Sequence, residues 1–219
     1  MQLEIWSDVV CPWCYIGKAR FETAVANLAA EGIDLDLTIV FRPFQLDPSA
    51  LTDGTSPVFH GYAKKFGGEE RAAQILSHVT LVAAESGVTF NMDQALRANT
   101  LTAHRILHLA LVHHGPETQV RLKQALLQAY FTDGQNIGAD DVLIACAVAA
   151  GIPSEDAHRY ISSNEGDVEV RGDIIRAGEL GITAVPTFVF DGKWSIPGAQ
   201  DVAVFENVLR RLATKSLSS

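Results

Sequence analysis

The sequence predicts an α/β fold in which a small sheet core is interrupted by a large all-helical insertion. Three observations predict it. A β-α-β pattern occupies the first 45 or so residues, a helical pattern then runs almost unbroken from about 56 to 180, and strand character returns only at Val185. A chain of 219 residues is long enough to bury a full core in one domain or in a domain that carries an insert. The division expected is a discontinuous sheet domain over 1–50 and 181–219, with 51–180 as the inserted helical domain.

The first strand is the apolar run Leu3-Glu4-Ile5-Trp6, and it leads into Cys11-Pro12-Trp13-Cys14. A helix over about 12–30 starts at once, with Pro12 at its first position, where a fixed φ suits the helix and a missing N–H is no loss. Cys11 then falls at the N-cap. Its sulfur is expected to face the free N–H groups of Trp13 and Cys14, whose dipoles favour a thiolate, so that Cys11 should be exposed and acidic. Cys14 lies on the same side of the first turn, within reach of a disulfide to Cys11. This is the geometry of a redox dithiol. Zinc would need two more ligands, and the third cysteine, Cys146, stands alone in an Ala-rich run that reads as buried core. An inert bridge closing so short a loop would constrain the unfolded chain little.

Leu35, Leu37, Ile39 and Phe41 alternate with polar or less buried neighbours as a second strand, and Arg42-Pro43-Phe44-Gln45-Leu46 breaks it. Helices are expected over 57–66, 69–86, 99–114, 117–132, 140–150, 154–163 and 165–180, punctuated by Gly87, Gly115, Gly134 and Gly151. Val88-Thr89-Phe90 is the one short stretch in this region with strand character. Two strands, Val185–Phe190 and Lys193–Ile196, then flank Asp191-Gly192, a strong hairpin signal. An amphipathic helix over 201–212 closes the chain, and Lys215–Ser219 is expected to fray. With the insert removed, a thioredoxin-type core remains. Pro186 opens the third core strand, a place strand interiors avoid and such cores fill with a cis proline facing the dithiol.

Ser7-Asp8-Val9-Val10-Cys11-Pro12-Trp13-Cys14-Tyr15-Ile16-Gly17-Lys18 resembles the active-site motif of the FrnE-like branch of the DsbA family. The stretches at Arg42–Leu46, Asn99-Thr100 with Ala103-His104-Arg105, Gly181–Phe188 and Ile196–Gln200 are similar to that family's pattern as well. The resemblance implies a thioredoxin core with an inserted helical domain, and dithiol–disulfide exchange as the activity. Cys11 would attack and Cys14 would resolve, with Pro12 and Trp13 between them and the Val185 N–H and Pro186 holding the substrate. It also implies Glu4 as a proton acceptor for Cys14, and His104 and Arg105 as residues lining the site from the insert. The related kappa-class glutathione transferases and hydroxychromene-carboxylate isomerases carry serine where this chain has Cys11. Their grip on glutathione would map to the turn at Gln200 and Asp201, making glutathione a co-substrate while no cofactor is tightly bound.

A net charge of −9 without any Lys/Arg-rich run argues against nucleic acid and anionic membranes as partners. No basic leader, membrane-length apolar run or secreted disulfide framework is visible, so the chain reads as cytoplasmic. Three functions remain open: protein thiol–disulfide oxidoreductase or isomerase, glutathione-linked isomerase or transferase of a small aromatic, and redox-gated holdase. Nothing in the sequence specifies an oligomeric state.

Overall fold

In the computed structural model, which describes residues 1–52 and 54–216, alternation along β1 (Gln2–Ser7) sends Leu3 and Ile5 to one face of a sheet and Glu4 and Trp6 to the other. β1 pairs in parallel with β2 (Thr38–Pro43) and antiparallel with β5 (Thr187–Phe190), which pairs with β6 (Trp194–Pro197), so the order is β2-β1-β5-β6. On the first face α1 (Pro12–Ala30) and α9 (Val202–Ser216) bury Phe21, Phe188, Phe190 and Phe205 around one another. α9 thus runs four residues past the expected Leu212; residues 217–219 of the tail expected to fray lie outside the described residues.

The other elements are α2 (Val58–Phe66), α3 (Glu69–Glu85), α4 (Leu101–His114), α5 (Pro116–Phe131), α6 (Asp140–Ala149), α7 (Ser154–Ile161) and α8 (Asp167–Glu179). α2 to α7 form a second core around Leu122, Leu126, Phe131 and Leu143, into which α1 also sends Tyr15 and Ile16. α8, inside the range expected for the insert, covers the second face of the sheet, where Ala177 joins Trp6 and Ile182. Three expectations are corrected. The strand after α1 starts at Thr38, three residues later than expected, because pairing with β1 sets the register and Leu35 and Leu37 precede it. Val88–Phe90 is not a strand; the short pairing in this region joins β3 (Ser56–Pro57) to β4 (Leu96–Arg97). Pro57 therefore precedes α2 as its cap instead of opening it.

Where β2 meets α5, a side chain continues the ladder. The Gln119 amide oxygen accepts from the Phe41 N–H at 2.8 Å, and its Nε2 donates to the Phe41 carbonyl at 2.9 Å. Among the described residues no helix is long and apolar enough to cross a membrane.

Candidate active site

Pro12 occupies the first position of α1, and Cys11 is its N-cap with an extended φ of −87° and ψ of 114°. The Cys11 carbonyl accepts the Cys14 N–H at 3.0 Å, which folds the first turn and brings the two cysteines together as free thiols. Cys11 is not exposed as expected: both cysteines retain only 3% of their surface. Nor does its sulfur cap the helix N–H groups; Sγ lies 3.7 Å from the Val185 carbonyl. The chemistry explains the difference, since a thiol is a donor that seeks a carbonyl, whereas only a thiolate would turn to N–H groups.

Val185 carries that carbonyl on the loop that enters β5, and its bond to Pro186 is cis. Gly17 lets this loop approach α1. A Cβ on Gly17 would stand 3.0 Å from Pro186 Cγ and 3.3 Å from Ala199. Trp13 projects from the turn with 39% of its surface exposed and its ring 6.5 Å from that of His78. Beside Val10 a cavity of about 550 Å³ opens between α2 and the segment after β2, lined by Leu46, Val58, Tyr62, Lys65 and Arg97. Burial, and then the neighbouring Cys11, push the Tyr62 phenol up to about 12.

Behind the dithiol lies Asp8, fully buried, which sequence reasoning quoted but left without a role. Its Oδ1 accepts from the Val9 N–H at 2.8 Å and meets His104 Nε2 at 3.1 Å, while Oδ2 accepts from the Leu46 N–H at 2.8 Å. The Asp8 backbone also hydrogen-bonds the Cys14 thiol, although burial, the Cys11 hydrogen bond and the Cys11 charge still push that thiol well above its ordinary pKa. Glu4, expected to serve Cys14, is engaged elsewhere. Period-two alternation puts Glu4 on the α8 side of the sheet, where Arg42 holds it at 2.7 Å and also reaches Asp173 at 3.3 Å. His104 does come from the insert, but it is buried behind Asp8 with 3% exposure and does not face a substrate. Arg105 is likewise structural, donating to the carbonyls of Tyr160, Ser163 and Glu165.

The turn expected to grip glutathione leads into α9. Asp201 stands at the start of α9 with its carbonyl accepting from Phe205, and its carboxylate already pairs with Arg20 at 3.0 Å. Gln200 turns back onto the Pro197 carbonyl at 2.7 Å. Cys146 is buried as core, and burial, then the Asp133 charge, push its thiol up to about 11. Lys123 is a buried lysine that no motif in the sequence marks. It lies four residues after Gln119 on the buried side of α5, a place where helical spacing alone would have put an apolar side chain.

A family model described as a DSBA-like thioredoxin domain matches residues 2–210. A probable DsbA oxidoreductase of Streptomyces coelicolor superposes with a TM-score of 0.86 at 34% identity, covering 96% of this chain and 89% of that one. The uncharacterised protein YwbO of Bacillus subtilis is 29% identical over 214 residues, 95% of this chain and 96% of its own. The cytosolic disulfide reductase DsbM of Pseudomonas aeruginosa, in a structure with GSH, covers all of both chains with a TM-score of 0.63. At 17% identity that likeness is one of fold.

Proposed function

The chain belongs to the DSBA-like thioredoxin domain family, whose members are thiol–disulfide oxidoreductases and isomerases, and from that premise we propose that its reaction runs through Cys11 and Cys14. The observation that carries the reading is the Cys11 sulfur: it tops α1 next to a second free thiol and lies 3.7 Å from the backbone before Pro186. Cys11 thiolate attacks one sulfur of a substrate disulfide; a mixed disulfide forms and the other sulfur leaves with the bonding electrons. Cys14 then attacks Cys11 Sγ, closing the protein disulfide and releasing the second substrate thiolate. Run backwards, the oxidised pair accepts two electrons from a substrate dithiol. Trp13 offers apolar surface, and the cavity beside Val10 a mixed apolar and basic one, against which the substrate lies, while the Val185 backbone and Pro186 frame the sulfur.

Work in the cytoplasm, with glutathione as the small co-substrate thiol, belongs to the same proposal. Its support is a set of three free cysteines with no framework bridge and the fold shared with cytosolic DsbM. Insulin reduction is the test. Wild type should be active, Cys11→Ser inactive, and Cys14→Ser should accumulate a mixed disulfide visible by mass spectrometry. Turnover that survives Cys11→Ser would favour a glutathione-linked isomerase or transferase instead, and client holding that ignores both cysteines would favour a holdase.

A further inference from the structure

Lys123 is buried in the middle of α5 with 1% of its surface exposed, and its Nζ has no hydrogen-bond partner among the described residues. The amine lies over the Phe41 ring, 5.4 Å from its centroid. Ser7 Oγ is also buried without a partner, and both residues line one enclosed cavity of about 10 Å³. That is room for about one water molecule. A lone buried ammonium is costly, so charge around it decides its state. From α1 come Cys14, Cys11 and Lys18, and from the loop before it Asp8. Across the cavity stand Arg42 of β2, His104 and His108 of α4, and Asp173 of α8. Asp8 already accepts from two backbone N–H groups and meets His104, and Asp173 is engaged by Arg42. Of the acids around it, Cys14 acts most strongly on Lys123.

We propose that Lys123 is the base for the resolving thiol: its amine takes the Cys14 proton as the mixed disulfide on Cys11 is resolved. This rests on the exchange reading above. In the step, the Cys14 S–H bond breaks and Lys123 becomes an ammonium. The Cys14 sulfur bonds to Cys11 Sγ, and the substrate sulfur leaves with the electron pair of the broken bond. The cysteine pair is oxidised by two electrons and the substrate disulfide is reduced. Burial pulls the Lys123 amine down to about 8 against the pull of the Cys14, Asp8 and Cys11 charges, so a neutral amine is within reach near physiological pH.

The test uses an aromatic disulfide with a coloured leaving thiol, whose two halves are released in turn by Cys11 and Cys14. In Lys123→Met the second release should slow about 100-fold at pH 7, the scale of general-base catalysis. Its pH midpoint should move upward, while the first release, which does not involve Cys14, should change less than twofold. An unchanged second release and pH profile would overturn the proposal, as would restoration of both by Lys123→Arg, which cannot accept a proton. Loss of the first release in wild type would defeat the exchange reading instead. Should Lys123→Met not fold, titration of the lysine ε-carbon by NMR decides. The Lys123 resonance should titrate in two coupled steps in the reduced wild type and in one step in Cys14→Ser. Identical single-step curves in both would overturn the assignment.

Discussion

Each thiol of this chain sits in a different electrostatic setting. Cys14 and Cys146 are both pushed up chiefly by burial, and for Cys146 the value reaches about 11. A raised thiol pKa keeps the group protonated until the pH approaches the raised value; at pH 8 a thiol titrating near 11 is about 0.1% thiolate. Iodoacetamide at pH 8, followed by peptide mass spectrometry, should therefore modify Cys11 at least about tenfold faster than Cys14 or Cys146. Cys146 should begin to react only as the pH nears 11. Equal labelling of the three would contradict the placement. The dithiol itself was legible in the sequence because Pro12 marks a helix start. The acid behind it was not, because strand alternation has no way of telling that Asp8, beyond the end of β1, turns inward while Glu4 is claimed by Arg42.

Among the elements, α1 and the Val185–Pro186 loop meet in a tight contact. Gly17 fits closely there, since a Cβ would meet Pro186 Cγ at 3.0 Å and the loop would have to give. Gly17→Val should cost about 1–3 kcal/mol by overpacking, measurable by urea unfolding. By moving the loop that carries the Val185 carbonyl it should also slow the reaction of Cys11 by about tenfold, an energy of about 1.4 kcal/mol. Full stability with full reactivity would show that the loop has room to retreat. Helices such as α4 and α5 could be read from Gly115 and Pro116 between them, because caps are local chemistry. The two-residue strands β3 and β4 could not, since two residues have no period and their pairing spans some forty residues of chain.

For the molecule as a whole, the sheet part and the helical part share α1. Phe21, Ala24 and Leu28 lie in the core against the sheet, whereas Tyr15 and Ile16 lie in the helical core. Polar links tie the same helix outward: Lys18 Nζ donates to Gln124 of α5 at 2.6 Å, and Arg20 donates to Ser86 at 2.9 Å and to the Ala199 carbonyl at 3.0 Å. Losing either core therefore exposes the other, and unfolding in urea should be a single transition. Circular dichroism and Trp fluorescence should give the same midpoint. Two resolved transitions would mean that the parts are held together more weakly than α1 implies. The run of helices between β2 and β5 was legible from the switch in hydrophobic period. The sharing of α1 was not, because one helix pattern does not tell which partners cover its two sides.

The Gln119 bracket on Phe41 has a consequence for how the sheet ends. β2 is a border strand by its place in the order β2-β1-β5-β6, yet Phe41 has both main-chain groups engaged by a side-chain amide that mimics a neighbouring peptide. At that point an incoming strand from another molecule finds its docking rung already taken. The opposite border, β6, carries Trp194 with half its surface in water. At Phe41 the β2 margin is thus sealed from within, which guards it against strand addition there.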